Sequence, residues 1–235
     1  ELSYQFARIL PANDPIEKEY QDFRKLFGED GGVMVIGWQD EGLFELNKFK
    51  DWHELSQQIK ATEGIKNVLS LGSLYKVLRN DSLSQFDFSP IMKQLPATQA
   101  EMDSLKKEVI NLPFYEGLVF NSETNSTLIL ITFNDKALNS SRRITIVEDI
   151  VKLANGFAVK HNAELHYSGM PFIRTTIMKK ISGEMKLFMG LAVLVTAFIL
   201  WAFFRSFRLT LLSIGVVLIG VVFSVGTLQL FGYKI

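Results

Sequence analysis

The sequence predicts an α+β domain followed by a pair of membrane-spanning helices, and three observations carry that prediction. Charge is divided unevenly along the 235 residues: beyond residue 180 only Glu184, Lys186, Arg205, Arg208 and Lys234 are charged. Residues 1–180 keep nearly all of the 25 basic and 25 acidic side chains and have a mildly acidic balance. Two long uncharged runs, 187–204 and 209–233, fill most of the remainder. Within residues 1–180, apolar stripes of helical period alternate with short β-branched runs. With 48% hydrophobic residues, no cysteine and a formal net charge of zero, the chain is neither disordered, collagen-like nor disulfide-stapled. It also lacks the basic balance of an electrostatic nucleic-acid binder.

The elements follow in order. Residues 2–10 alternate weakly and suggest a first strand, broken by Pro11 and Asn13. Asp14-Pro15-Ile16-Glu17 is a helix start, with an Asp cap, Pro at the first helical position and Glu in the first turn. Ile16, Tyr20, Phe23 and Phe27 place one apolar stripe on that helix, and Gly28 ends it. Val33-Met34-Val35-Ile36 reads as a buried strand. Trp52, Leu55 and Ile59 mark a second helix, and residues 65–71 a further strand. Residues 73–97, with Pro90 and Pro96, read as a long irregular excursion. Thr98 and Glu101 form a capping box for a third helix carrying Met102, Leu105, Val109 and Leu112. Residues 118–120 and 127–133 suggest a hairpin around 121–125. A fourth helix over 140–161 shows Ile144, Val147, Val151, Ala154 and Ala158 on one face. Leu165 and Tyr167 belong to a last strand, and Gly169-Met170-Pro171 leads into the first span. Strands and helices alternate with one hairpin, which predicts a ferredoxin-like α/β sandwich over residues 1–180, joined to a transmembrane helical hairpin over 181–235.

The spans are 187–204 and 209–233, with a turn at 205–208. Eighteen helical residues cover about 27 Å, close to the roughly 30 Å of a hydrocarbon core. The competing reading is two buried helices of a large soluble core. Arg205 and Arg208 in the short turn place it in the cytoplasm, so residues 1–185 are expected on the extracytoplasmic side. Export of so long a tail leads us to expect a signal or an earlier span before Glu1, and the chain to be a segment of something longer.

No motif supports an enzyme. Phosphate loops, nucleophile elbows and zincin helices are absent, and Gly31-Gly32 lacks dinucleotide spacing. No catalytic, cofactor-binding or metal-binding residue is assigned, and no cofactor is expected. His53, His161 and His166 are scattered, and a closed zinc site would need carboxylates to complete it. The pairs Lys106-Lys107, Arg142-Arg143 and Lys179-Lys180 read as solvated helix faces. Lys179, Lys180 and Lys186 are placed to snorkel beside the first span. Asn80, Asn125 and Asn139 head glycosylation tripeptides that occur often by chance. The spans carry Thr196, Ser213, Ser224, Thr227 and Gln229 but no ionisable group of the kind a membrane proton relay needs. Gly220 and Ser224, with Gly215 and Gly226, offer a small-residue face for a neighbouring helix, although glycine is common in such helices.

Leu10-Pro11, Asn13-Asp14-Pro15, Tyr20, Phe23 and Phe27-Gly28-Glu29-Asp30 resemble the opening of the extracytoplasmic porter domain of RND-superfamily transporters. The resemblance is strongest to the branch containing the mycobacterial large membrane proteins, the hopanoid transporters and, more distantly, Patched. Glu63-Gly64-Ile65 and Val68-Leu69-Ser70 are similar to the next element of that domain, and Tyr167-Ser168-Gly169-Met170-Pro171 to the motif before the second transmembrane helix. The resemblance covers nearly the whole chain. It implies a first porter domain with the second and third helices of a proton-gradient-driven exporter of hydrophobic or amphipathic molecules, lipids among them. It further implies a bacterial inner membrane, with bilayer lipids, an apolar substrate, the remaining half of the transporter and further copies as partners, and no nucleic acid. The family's proton-coupling residues lie on the fourth and tenth transmembrane helices, so none is carried onto this chain.

The competing function is a membrane-anchored extracytoplasmic sensor or ligand-binding domain. Sensors usually cross the membrane into a cytoplasmic output domain, and four residues between the spans leave no room for one.

Overall fold

The computed structural model describes residues 14–27, 31–80 and 85–231. The strand expected over 2–10 and the stop at Gly28 lie outside these residues. The chain divides into two compact units, one ending at Thr175 and the other running from Thr176 through the apolar helices.

In the first unit, helix α1 (Pro15–Phe27) begins as its sequence dictates: the Asp14 carboxylate accepts from the Ile16 amide at 2.8 Å. Its apolar stripe, however, is not a core face, because Ile16, Tyr20 and Phe23 are all exposed. Strand β1 (Val33–Gln39) runs three residues further than expected and alternates, with Met34, Ile36 and Trp38 buried. Helix α2 (Leu46–Lys60) buries Phe49, Trp52, Leu55 and Ile59 at helical spacing.

Strand β2 (Ile65–Leu69) is shorter than predicted. The chain turns into a 3-10 turn at Leu71–Ser73, held by the Ser73 hydroxyl, which donates to the Ser70 carbonyl at 3.0 Å and accepts from its amide. The stretch read as irregular instead holds a β-hairpin, β3 (Tyr75–Asn80) and β4 (Gln85–Pro90). Helix α3 (Gln99–Ile110) is capped by Thr98, whose hydroxyl accepts from the Glu101 amide. The Glu101 carboxylate reaches back to the Ala97 amide at 2.8 Å, one residue before the cap.

The expected hairpin is present as β5 (Phe120–Asn121) against β6 (Ser126–Phe133). A short helix, α4 (Asp135–Leu138), precedes α5 (Arg142–His161). The buried stripe of α5 is Ile146, Val147, Ile150, Ala154 and Phe157. That is a face rotated from the predicted one: Ile144, Val151 and Ala158 are only half-buried. Strand β7 (Leu165–Ser168) closes the sheet.

The sheet order is β2-β6-β1-β7, and every pairing is antiparallel. With β3, β4, α3 and the short elements β5 and α4 set aside, the chain order around this sheet is β-α-β-β-α-β. Pairs Met34↔Ile131, Ile36↔Ile129 and Trp38↔Thr127 point their side chains to the buried face, where α2 and α5 cover them. Trp38, Trp52 and Phe157 meet there with ring centroids 5.0 to 5.2 Å apart. The opposite face, with Val35, Leu128, Leu130 and Thr132, stays half-exposed.

Candidate functional site

The second unit is built from helices. Helix α6 (Met170–Phe204) is continuous for 35 residues, about 52 Å at 1.5 Å per residue, and exceeds the hydrocarbon thickness of a bilayer. Its first half carries Arg174, Lys179, Lys180, Glu184 and Lys186, and its second half no charge. Helix α7 (Phe207–Leu230) follows after a break of only Arg205-Ser206, with Arg205 at a positive φ of 48°. None of the most apolar 18-residue window of α6 is buried, and only 6% of the α7 window is. A core helix of a soluble protein would be mostly covered; these apolar side chains face outward, as a lipid solvent requires. The Thr227 hydroxyl bonds back to the Phe223 carbonyl at 2.7 Å, so it needs no partner from another helix.

In the first unit a close cluster of titratable side chains lies between α2 and α5, and Lys48 bonds Asp40 at 3.0 Å and Glu45 at 3.5 Å elsewhere on the surface. The Asp51 carboxylate lies 2.7 Å from His161 Nε2 and 2.8 Å from Lys160 Nζ. Burial by itself would raise the Asp51 pKa, but the hydrogen bonds from Lys160 and His161 prevail and hold it below the ordinary aspartate value. The His161 ring packs on Phe157 at 4.7 Å. Beside them a groove of about 630 Å³ is lined by Asp51, Glu54, Asp149, Lys152 and Lys160. Its mixed charges select no one ligand sign. His166, five residues beyond His161, is exposed on β7, where it pairs with Gly37 of β1. His53 is half-buried with Nδ1 against Gly72, and burial lowers its pKa. Among the described residues no three His, Asp or Glu side chains are grouped to hold a metal ion.

The basic pair Arg142-Arg143 does not share a solvated face, contrary to expectation. Arg142 is exposed and bonds Glu63 at 3.1 Å, whereas Arg143 is 2% exposed and donates to the Leu138 carbonyl at 2.8 Å. Adjacent helical residues diverge by about 100°, so one side chain reaches water while the other satisfies the last carbonyls of α4. Lys106 sits 5.2 Å over the Phe44 ring. Asn125 and Asn139 have local structural roles: Asn125 takes a positive φ of 51° in the β5–β6 turn, and Asn139 caps α4.

Tyr167-Ser168-Gly169-Met170-Pro171 is the junction of β7 and α6. Gly169 has φ +98°, and a Cβ there would strike the Val33 carbonyl oxygen and lie 2.9 Å from Met34 Cα. The Gly169 carbonyl then accepts from the Ile173 amide at 3.0 Å, the first turn of α6. The motif therefore brings the end of the sheet tight against β1 and launches the helix.

An α+β unit and two outward-apolar helices long enough to span a bilayer define a membrane protein with no assembled catalytic centre among its described residues. The model of the MMPL family matches residues 53–234, from α2 through both apolar helices. The chain belongs to the MMPL family, a family of membrane transporters. No curated protein matches it.

Proposed function

We propose that the chain is part of an RND-type exporter that uses the proton gradient to move hydrophobic or amphipathic molecules, lipids among them. The observation that carries this is a family match that runs without interruption from the sheet domain into both apolar helices. The chain order β-α-β-β-α-β with strand order β2-β6-β1-β7 supports a ferredoxin-like sandwich over residues 1–180, with β3, β4 and α3 as an insertion. Arg205 lies in the break between the helices and Arg208 in the first turn of α7, so the positive-inside rule favours a cytoplasmic break with residues 1–185 outside. No ionisable side chain lies between Leu187 and Phe204 or between Leu209 and Leu230, so the protons are carried by groups on other helices. Bilayer lipids, the apolar substrate and the remainder of the transporter are the partners.

Two measurements test this. Efflux of a fluorescent amphiphile from cells should stop on adding a protonophore; efflux that continues unchanged removes the proton-driven reading. Cysteines introduced by Glu123→Cys and Ser206→Cys should label oppositely with an impermeant thiol reagent: the first in intact cells, the second only after permeabilisation. Labelling of Ser206→Cys from outside inverts the topology.

A further inference from the structure

The part of α6 that precedes its uncharged run is two-sided. At about 100° per residue, Ile177, Ile181 and Met185 fall in one stripe, and all three are exposed. Lys179, Lys180 and Lys186 fall on the other side and are exposed too. Gly183 lies between them, with Lys179 and Lys180 about one turn before it and Lys186 about one turn after. A Cβ on Gly183 would meet nothing within 4 Å, so the three stems border open space. Glu184 is the acid of this stretch, and it sits about 100° round the helix from Gly183, beside the apolar stripe. Depth is set by the uncharged run. Gly183 stands four residues, about 6 Å along the axis, before Leu187, which puts it in the headgroup layer that flanks the hydrocarbon core.

We propose that Lys179, Lys180 and Lys186 form a site around Gly183 for the phosphate of an anionic phospholipid in the same membrane. Three ammonium groups against one carboxylate give this face a positive balance, complementary to such a headgroup. Near an anionic surface each lysine is worth about a fivefold preference. Lysine binds phosphate as a point charge on a flexible stem, so three stems can converge on one group without a fixed fork. The rest of the transporter is the other occupant to weigh. Lysine and glutamate are depleted where proteins meet, and apolar residues fill the centre of such contacts. The stripe of Ile177, Ile181 and Met185 is therefore the better face for a protein, and the lysine face the better one for lipid. This names one lipid class among the bilayer partners proposed above. It rests on α6 lying in a membrane and not on transport, so lipid contact and efflux can each fail with the other intact.

The test places a bimane fluorophore on a single cysteine in the full-length protein, reconstituted into phosphatidylcholine bilayers. Ser182→Cys puts it on the lysine side, next to Lys186 on the helix surface. A minor fraction of nitroxide-labelled phosphatidylglycerol should quench it at least fivefold more per lipid than nitroxide-labelled phosphatidylcholine. On Ile181→Cys, at nearly the same depth on the apolar stripe, the two lipids should quench alike. Lys180→Gln with Lys186→Gln should abolish the preference at Ser182→Cys, Lys186→Arg should keep it, and high salt should weaken it. Quenching by phosphatidylcholine should persist in every variant, which shows that α6 still lies in the bilayer. Equal quenching by the two lipids at Ser182→Cys, the same preference at Ile181→Cys, or a preference that survives the glutamine pair overturns the proposal. So does an absence of quenching by either lipid, which a protein covering this face would produce.

Discussion

Gly169→Ala should be among the most damaging single-methyl additions in the chain. At φ +98° an alanine is strained by about 1–3 kcal/mol. Its Cβ also meets backbone atoms of β1, the Val33 carbonyl and Met34 Cα, which cannot rotate away as a side chain could. Overpacking of this kind adds about 1–3 kcal/mol. Together they give about 2–6 kcal/mol, a large share of a domain stability of about 5–15 kcal/mol. The matched control is Gly156→Ala in the exposed middle of α5, where a Cβ meets nothing within 4 Å. There the same change should stabilise by about 0.5–1 kcal/mol through helix propensity. Urea unfolding in mild detergent, followed by tryptophan emission, separates the two. Trp38 and Trp52 are buried in the sheet domain, and Trp201 on α6 is exposed before unfolding begins. With a slope of about 2–3 kcal/mol per molar urea, Gly169→Ala should lower the midpoint by about 0.7–3 M and Gly156→Ala should raise it slightly. A Gly169→Ala midpoint within about 0.3 M of the parent, less than 1 kcal/mol at that slope, refutes the close approach of β7 and β1 at this residue.

Two further predictions use the α2–α5 interface. Asp51 has a folded pKa held below its ordinary 3.8, so its contribution is complete above that value and is lost as pH falls through the lower folded value. Asp51→Asn should therefore cost about 1–2 kcal/mol at pH 7. The gap to the parent should close as pH falls through the lowered folded value; a gap that persists once Asp51 is protonated would mean that it acts by packing and not by charge. In the aromatic triad, Phe157→Ala should cost about 3–5 kcal/mol, since it opens a cavity between Trp38 and Trp52. Trp52→Phe should cost far less, because the buried indole N–H it removes has no hydrogen-bond partner; equal losses in the same urea assay would show that the indole is bonded after all.

Elements with strong local signals were legible in the sequence. Asp14, Thr98 and the apolar spacing of α2 and α3 produced the helices they predicted, because caps and period act within a few residues. The uncharged runs marked the apolar helices for the same reason. The β3–β4 hairpin was missed because Leu78 and Arg79 reverse the apolar alternation that Tyr75 and Val77 begin, and the pattern is interrupted between Asn80 and Gln85. The facing of α5 was misjudged because Ile144, Val151 and Ala158 extend its apolar surface beyond the stripe that α2 and the sheet bury. The Asp51–His161 contact joins residues 110 apart, and no local signal can announce it. Arg143 shows the same limit. Its neighbour Arg142 is solvated as charge patterning expects, and only the position of the α4 carbonyls explains why Arg143 is not.

The sheet order has a consequence for how the chain is made. Strand β1 lies between β6 and β7, and both of those are synthesised after it. Roughly 90 residues separate the end of β1 from the start of β6, so at about 5–20 residues per second its edges stand open for about 5–18 seconds. During that interval the nascent chain exposes Val33-Met34-Val35-Ile36, an apolar β-branched segment with unpaired backbone on both sides. The α2 helix can form early beside it but leaves both of its edges uncapped. Residues 70–119 must be spun out before the central pairing closes, so any lengthening of that insertion prolongs the vulnerable period. A holding chaperone at this stage would act on β1, and the yield of folded protein would depend on synthesis speed more than on final stability.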